Sequence, residues 1–209
     1  MGSEPGGAPS GADATNEIAV AWTNGPTPRG RTNKRNERVA LLVSRNRGAS
    51  WSSVAGASPR RDRPDMPAVA LSPDGLHLYV VYDNFLQPWE QSASRRPQLM
   101  QGVVRHATIG LDGRPSAWVD VERGPVGDVR ATSSVDLQAA FIGDYNSMAA
   151  THRSAVALWN DARSATDCPA VDRYRQALAN GGDPSAPSLA TGCPAGFGNS
   201  DVFALAVTP

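Results

Sequence analysis

Short polar side chains stand at the ends of several apolar segments in this 209-residue chain. They are Asp65, Asp83, Asn84, Asp144 and Asp161. A carboxylate can act as a general acid or base, and glycoside hydrolysis is commonly carried out by carboxylates. Arg163 lies two residues after Asp161, and a guanidinium group can hold a ligand carboxylate through two parallel hydrogen bonds. These residue types suit the binding or cleavage of a sugar, with Asp83, Asn84, Asp161 and Arg163 as binding candidates.

Each of these residues also has a structural interpretation. Asp at a strand end often accepts hydrogen bonds from loose backbone N–H groups, which would account for every Asp named above except Asp161. Asp161 and Arg163 are also spaced for a local salt bridge. Tyr145, which follows Asp144, could pack as an ordinary aromatic residue. The residue types alone leave both interpretations open.

The candidate residues belong to copies of one sequence pattern. EIAVAWTNG, LHLYVVYDN and SAVALWNDAR each alternate apolar residues with period two and then give an aromatic residue and short polar ones. This alternation predicts strands. With the strands around them, the order reads B-C-D, then A-B-C-D, then A-B-C, where A to D are successive strands of an antiparallel meander. The aromatic residues Trp22, Tyr82 and Trp159 are expected to pack between sheets.

Stacked four-stranded meanders form a β-propeller, so the predicted fold class is all-β, with an incomplete propeller. In a propeller the A strands begin, and the B strands end, on the same face. Asp65, Asp144 and Tyr145 begin predicted A strands, and the remaining candidates follow B strands. We therefore expect them to converge on that face.

The turn after the second predicted strand reads SRNRGASW, from Ser44 to Trp51. Ser44 and Asn46 can accept hydrogen bonds from nearby backbone N–H groups, and Gly48 tolerates a positive φ. Trp51 is expected to be a buried apolar plug over the end of the hairpin. The stretch resembles the Asp-box, S-x-D-x-G-x-x-W, of the sialidase (BNR-repeat) superfamily, with Asn46 in place of the usual Asp. A generic hairpin turn is the alternative.

The resemblance extends over most of the chain from about Glu17, and includes FIGDYNSMAA, ALWNDAR and FGNSDVFALAVTP. It implies a six-bladed propeller, an extracellular location and a glycan-related role. Because sialidases use a Tyr nucleophile, it also implies that Tyr145 is a catalytic candidate beside Asp65 and Asp144. The chain departs from the family in lacking the Arg-Ile-Pro segment and in having one recognisable Asp-box.

The expected domain organisation is a flexible lead-in over residues 1–16 and a partial propeller over residues 17–209. The strands suffice for about three of the six blades that the resemblance implies, so we expect the missing blades in a longer chain. The expected function is that of a sialidase-like glycoside hydrolase of the exo-α-sialidase type, inactive as this chain alone. The alternatives are a non-catalytic extracellular propeller that binds glycan or protein, or a truncated inactive scaffold.

Composition narrows the partners. The formal net charge is zero, so no nucleic-acid partner is indicated. No apolar run approaches the roughly 20 residues of a membrane span. The three His residues are scattered and no Cys-x-x-Cys occurs, so neither a metal site nor a cofactor is expected.

Cys168 and Cys193 flank one segment, which favours a local disulfide and an oxidising compartment. Two buried free thiols are the alternative. The segment contains one predicted helix, within CPAVDRYRQALANGG, which ends at Asn180-Gly181. This insertion follows a B strand, so it is expected to overhang the polar face as a cap.

Overall fold

The computed structural model of the protein describes residues 16–25, 37–88, 95–110, 114–133 and 137–208. Most of its regular structure is β-strand, arranged as three antiparallel sheets, which confirms the all-β class. Of the lead-in expected over residues 1–16, residues 1–15 lie outside the described ranges.

The first sheet has three strands in the order β1-β2-β3. Their bounds are Ile18–Asn24 for β1, Arg38–Ser44 for β2 and Ser52–Val54 for β3. Ala19 and Ala21 on β1 are buried because alternate residues of a strand point to the same face. That face lies against β4 of the second sheet.

The second sheet has the order β4-β5-β6-β7, and a short β8 pairs with the start of β6. The bounds are Pro64–Leu71 for β4, His77–Phe85 for β5, Leu99–Thr108 for β6, Val119–Arg123 for β7 and Gly127–Asp128 for β8. A 3₁₀ helix, Val129–Ala131, follows directly. Between β4 and β5, Gly75 adopts φ +72° and donates its N–H to the carbonyl oxygen of Ser72 at 2.8 Å.

The third sheet has the order β9-β10-β11, with bounds Ser147–Ala150, Ala155–Asp161 and Asp201–Val207. The three sheets therefore follow the predicted order B-C-D, A-B-C-D, A-B-C, and this part of the prediction is confirmed. The short β8 is an addition to it.

The second sheet lies between the other two. Along β5, Leu78, Val80 and Tyr82 pack against the first sheet, whereas Tyr79 and Val81 pack against the third. Because both faces are covered, every residue of β5 after His77 is buried. We call the two packed regions the first–second junction and the second–third junction.

The expectation that three equivalent aromatic residues pack between sheets is wrong for Trp22. Tyr82 faces the first sheet and Trp159 faces the second, so each points toward the preceding sheet. Trp22 lies on the opposite face of β1 from Ala21 and is 36% exposed. Its face of the first sheet is not the one that packs against the second sheet.

Cys168 and Cys193 form a disulfide with a Cα–Cα distance of 5.1 Å, which confirms the predicted pairing and excludes two free thiols. The predicted helix is α1, Pro169–Ala179, and it ends at Asn180. A second helix, α2, covers Leu189–Gly192. The expectation of one helix is therefore wrong, because a single turn is too short to show a helical period in the sequence.

The insertion is anchored by Arg175, which is among the largest fully buried side chains of the described residues. Its guanidinium group donates to the backbone carbonyl oxygens of Arg130, Thr132, Leu137 and Ala139 at 2.8–3.1 Å. Burial lowers the pKa of Arg175, although the charges of Asp172 and Asp167 oppose this effect. The contacts attach the insertion to the connection between the second and third sheets.

Candidate functional site

Candidate residues of the second and third sheets stand at strand ends that lie close together in the fold. We call the end where β4 and β9 begin and β5 and β10 end the candidate end. There Asp65 is paired across the sheet with Asp83. Asn146, just before β9, donates from Nδ2 to the Met66 carbonyl oxygen at 2.9 Å and accepts at Oδ1 from the Asn160 N–H at 3.2 Å. The ends of both sheets are therefore tied together.

A cleft of about 250 Å³ opens at the candidate end, and we call it the second–third cleft. Its lining residues are Asp65, Met66, Phe85, Val129, Ala140, Phe141, Ile142 and Gly143. Asp65 is exposed and Phe141 is 47% exposed, so a carboxylate and an aromatic ring both reach solvent within one concave surface. Phe141 is missing from the predicted site, although it stands in the FIGDYNSMAA segment beside Asp144 and Tyr145.

Asp65 is held by its own turn. Its Oδ1 accepts from the Met66 N–H at 2.9 Å, and Met66 has a left-handed φ of +48°. The register of β4 against β5 is interrupted between Asp65 and Ala68. Among the described residues, Oδ2 of Asp65 has no hydrogen-bond partner. The carboxyl group is therefore oriented yet retains acceptor capacity.

Asp83 is a predicted binding residue that the fold buries completely, at 0% exposure. Neither of its carboxylate oxygens makes a full hydrogen bond to any described residue. Burial raises the pKa of Asp83 well above its usual value; the side chain of Asn146 opposes this, and the charges of Asp65 and Asp161 add to it. Burial therefore favours the protonated form of Asp83 up to a higher pH than for an exposed Asp.

Asp161 and Arg163 form the local salt bridge, the structural alternative stated for this pair. Arg163 donates from its backbone N–H and its Nη2 to the two carboxylate oxygens of Asp161, at 2.7 and 2.6 Å. Trp159 Nε1 donates to the same carboxylate at 3.0 Å. The Arg163 guanidinium lies 3.9 Å from the ring centroid of Phe203. The Arg163 guanidinium, which was predicted to hold a ligand carboxylate, is therefore already paired with Asp161.

Asp144 and Tyr145 are both exposed, and Tyr145 is 79% exposed. The segment is fixed through its backbone, because Asn160 Nδ2 donates to the Tyr145 carbonyl oxygen at 2.8 Å. Within the described part of the chain, the Tyr145 hydroxyl has no hydrogen-bond partner, so no described carboxylate is placed to accept its proton. Gly143, next to Asp144, lines the same cleft as Asp65.

Asn84 belongs to a different cleft, of about 450 Å³, which we call the first–second cleft. It is lined by Arg61, Asp62, Asn84, Leu86, Gln101 and Arg123. Asn84 is buried, and its Oδ1 accepts from the Arg63 N–H at 2.8 Å. Asn84 thus satisfies the backbone just before β4, as the structural interpretation of strand-end polar residues anticipates.

Asp62 lies beneath the first–second cleft and is saturated with hydrogen bonds. The Tyr82 hydroxyl donates to Oδ2 at 2.5 Å, and Arg123 donates to both carboxylate oxygens at 3.2 and 2.8 Å. Burial and the Asp62 hydrogen bond raise the pKa of Tyr82, so its hydroxyl remains a donor. Although burial alone would lower it, the carboxylates of Asp62 and Asp120 raise the pKa of Arg123.

Asp120 continues this network at the surface. It accepts from Arg105 at 2.6 Å, from Arg123 at 2.7 Å and from Arg61 at 2.9 Å. Despite partial burial, which acts the other way, hydrogen bonds from Arg123 and Arg105 lower the pKa of Asp120. Arg105 also donates to the Gly56 and Ala57 carbonyl oxygens. Apart from Asp120 and Arg123, which are three positions apart, the hydrogen-bonded side-chain pairs of this network are separated by 15 to 61 positions, so no local motif signals the whole network.

The turn with the Asp-box resemblance lies at the opposite end of the first sheet. The buried Ser44 Oγ accepts from the Gly48 N–H at 2.8 Å, and Asn46 Oδ1 accepts from the Ser50 N–H at 2.8 Å. Gly48 has φ +86°. Trp51 lies over Gly48 but is 42% exposed, so its expected role as a buried plug is wrong. The hydrogen bonds of the two polar side chains organise this turn.

His77 and His106 are not scattered, contrary to expectation. Tyr79 pairs with His106 across β5 and β6, which places His77 diagonally beside His106 on the same face. His77 Nδ1 and His106 Nε2 are 3.0 Å apart. Burial and the neighbouring His77 lower the pKa of His106. The pair lies in the second–third junction at the end opposite to Asp83.

Three further observations concern partners. Over the described ranges, no group of three or more His, Cys, Asp or Glu side chains is arranged to hold a metal ion. No helix in the same ranges has the length and apolar character needed to cross a membrane. No described residue of the insertion lines either cleft, so the expected cap is not seen over these surfaces.

Comparison with known proteins gives one distant structural likeness. No family model matches the chain, and no curated protein matches it. A solved structure of a mutant of Trypanosoma rangeli sialidase displaying trans-sialidase activity is similar, at 13% identity and a TM-score of 0.36. The match covers 78% of this chain and 26% of that protein, so the chain spans about a quarter of its length.

Proposed function

We propose that this protein has a glycan-related function and binds a sugar in the second–third cleft. The observation that carries the proposal is the exposed Phe141 ring beside the exposed Asp65 carboxylate within one concave surface. An aromatic ring packs against the C–H face of a sugar ring, and a carboxylate accepts hydrogen bonds from its hydroxyl groups. Concave, largely apolar surfaces with a few polar groups are the usual form of small-ligand sites.

We further propose that the three sheets are consecutive blades of a sialidase-like propeller in a longer extracellular protein. The strand order and the face-to-face packing of successive sheets support this reading. The exposed Trp22 supports it as well. Its equivalents Tyr82 and Trp159 are each buried against the preceding sheet, and a further sheet of a longer protein would cover Trp22 in the same way. The disulfide fits an oxidising compartment. The Asp-box assignment of Ser44 to Trp51 belongs to the same proposal.

Hydrolysis of the exo-α-sialidase type is the second candidate function. Asp65 reaches solvent in the cleft and could serve as acid or base, and Asp144 and Tyr145 directly follow Gly143, which lines the same cleft. A Tyr nucleophile needs a base to take its proton, and the Tyr145 hydroxyl has no such partner among the described residues. We therefore assign binding to this chain and expect turnover only if further parts of a longer protein complete the site.

The test measures binding and turnover together. The full chain is titrated with a panel of neutral, basic and acidic oligosaccharides by calorimetry, and a fluorogenic sialoside measures hydrolysis. Phe141→Ala should abolish binding of whichever glycan binds, whereas Val202→Ala, which also truncates an exposed apolar side chain but on β11, should not. Absence of glycan binding, or binding that Phe141→Ala leaves unchanged, would overturn the proposal. Sialoside turnover that depends on Tyr145 would favour the second candidate.

A further inference from the structure

The charges at the candidate end indicate which class of sugar the second–third cleft accepts. Of its eight lining residues, Asp65 is the one with an ionisable side chain. The other seven are apolar residues or glycine, so they contribute no formal charge. Asp65 is exposed, and its Oδ1 already accepts a backbone N–H while Oδ2 remains available. The cleft therefore presents a negative charge beside apolar walls.

The guanidinium groups of this end do not offset that charge inside the cleft. Arg163 is bonded to Asp161, and Arg130 is bonded to Asp128 and Asp172. Neither Arg163 nor Arg130 lines the cleft. A ligand carboxylate placed here would meet the Asp65 carboxylate and would have to compete with existing ion pairs for a cation.

The arginine-rich surface lies instead on the other side of β5. Arg61 and Arg123 line the first–second cleft, where Asp62 and Asp120 already bind them. The two clefts at this end thus differ in sign as well as in lining. An anionic ligand is favoured in neither: it meets a carboxylate in one cleft and guanidinium groups that are already paired in the other.

We propose that the second–third cleft selects a sugar with a protonated amino group, held by Asp65 as its counter-ion and by Phe141 as its stacking surface. The inference rests on the glycan-binding function proposed above. An ammonium group and a carboxylate form a charge-assisted hydrogen bond, which is stronger than the bond to a neutral hydroxyl group. An ammonium group near an aromatic face is also attracted by the ring. Phe141 and Phe85 both line the cleft and supply such rings.

The test compares three ligands of similar size on the full chain: a glucosamine oligomer, its N-acetylated counterpart and a sialylated oligosaccharide. Titrations are run at a pH that keeps the amino groups protonated. We expect the amino oligomer to bind about tenfold more tightly than the N-acetylated one, and the sialylated ligand to bind least. Raising the salt concentration should weaken the amino oligomer selectively, because its advantage is electrostatic.

Two variants separate charge from stacking. Asp65→Asn keeps an oxygen for the Met66 N–H, so the fold should survive; it should weaken the amino oligomer about tenfold and change the N-acetylated one little. Phe141→Ala should weaken both. Asp183→Asn, at an exposed carboxylate of the insertion, is the matched control and should change neither.

The outcomes distinguish the two proposals. Equal binding of the amino and N-acetylated oligomers, or tightest binding of the sialylated ligand, would overturn this inference; if Phe141→Ala abolishes that binding, the proposed function stands. Binding of none of the three ligands would overturn the inference, and with the wider neutral panel also negative it would overturn the proposed function. A selective loss of the amino oligomer in Asp65→Asn supports both.

Discussion

The two junctions on either side of β5 differ in the hydrogen bonds that they provide to a buried carboxyl group. In the first–second junction, Asp62 is 1% exposed and accepts hydrogen bonds from Tyr82 and Arg123. In the second–third junction, Asp83 is fully buried, neither of its oxygens meets hydrogen-bond geometry with a described residue, and the nearby Asn146 side chain is the group that favours its charged form. A carboxylate with hydrogen bonds to both oxygens stabilises the packing around it and has little acceptor capacity left for a ligand. An unsaturated one needs a proton or a cation, so the two junctions differ in what can still bind there.

Strand register explains the difference. Val80 pairs with Arg105, and Tyr82 is level with Val103, which in turn pairs with Arg123, so the cationic side chains share a face with Tyr82 and point toward the first sheet. Asp83 points the other way and is paired with Gly102, which offers no side chain. The Trp159 ring occupies the space beside Gly102 so closely that a Cβ there would lie 2.1 Å from Nε1. Residue 102 therefore supplies no side-chain donor to Asp83, and the neighbouring Trp159 Nε1 donates to Asp161 instead.

The largest expected effect is at Asp62. Asp62→Asn removes the buried charge with which Arg123 and the Tyr82 hydroxyl are paired, and leaves the more exposed Asp120 as the carboxylate that remains bonded to the Arg123 guanidinium. We expect a loss of about 3–5 kcal/mol in the free energy of unfolding, measured by urea denaturation.

Asp120→Asn is the matched control for that loss, because Asp120 also binds Arg123 but its side chain is 27% exposed. It should cost about 1 kcal/mol or less. If Asp62→Asn costs no more than Asp120→Asn, the first–second junction does not depend on a saturated buried carboxylate and the comparison fails.

The strand order was predictable because local patterns determine it. Period-two alternation marked each B strand, and the polar residues after it marked where the strand ends, so EIAVAWTNG, LHLYVVYDN and SAVALWNDAR indicated three sheets. The Cys168–Cys193 bond was equally predictable, since both cysteines bracket one segment. Each of these signals lies within about 25 residues of chain.

The site was less predictable for a related reason. Asp83 and Asn84 are neighbours in the sequence and were grouped as one binding set, yet period two sends them to opposite junctions. The continuous apolar run of β5 hides which face each residue occupies, because both faces are buried. The partners of Asp62 and Arg175 come from 20 to 61 residues away, a distance at which the sequence alone shows no pairing.

The next largest effect is expected from removing the disulfide. This change acts on the insertion and on the connection between the second and third sheets, so it tests the second–third junction separately from the first–second junction. Replacing Cys168 and Cys193 by Ser opens a loop with a sequence separation of 25 and should cost about 3 kcal/mol in the chain-entropy description. Because Arg175 anchors the insertion to that connection, hydrogen exchange should accelerate in β9 and β10 more than in β1 and β2. Uniform acceleration in all three sheets would contradict the independence of the two junctions.

A smaller effect, of opposite sign, is expected at Asp83. Its pKa is raised in the folded protein, so its contribution to stability is complete below the usual value of 3.8 and is lost as the pH rises through the folded-state pKa. Asp83→Asn removes the ionisable group. It should raise the free energy of unfolding at neutral pH by about 2 kcal/mol and change it little in acid.

Asp144→Asn, at an exposed carboxylate of the same end, should leave stability unchanged at both pH values. Urea denaturation at a series of pH values measures both variants. A loss of stability at neutral pH in Asp83→Asn, comparable to that of Asp62→Asn, would mean that Asp83 is paired and would remove the contrast between the junctions.

The smallest expected effect is at the other end of the second–third junction, where His106 contacts His77. Only one proton fits between the facing nitrogens at 3.0 Å, and a second would place two like charges side by side. The Tyr79 ring lies tilted against the His106 ring, with the ring centroids 4.7 Å apart, and Asp74, which interacts with His77 and His152, is the nearby carboxylate. Because the pKa of His106 is lowered in the folded protein, its contribution is complete above the unfolded value of about 6.5 and is lost as the pH falls through the folded-state pKa. His106→Gln should remove that loss. The free energy of unfolding in acid should change by no more than about 1 kcal/mol, because solvent screens the charge.

The His106→Gln variant is measured in the Asp83→Asn background, because Asp83 changes stability in the opposite direction with pH. If the acid loss persists unchanged in the double variant, neither His106 nor Asp83 is its source, and the loss does not arise from the His77–His106 pair.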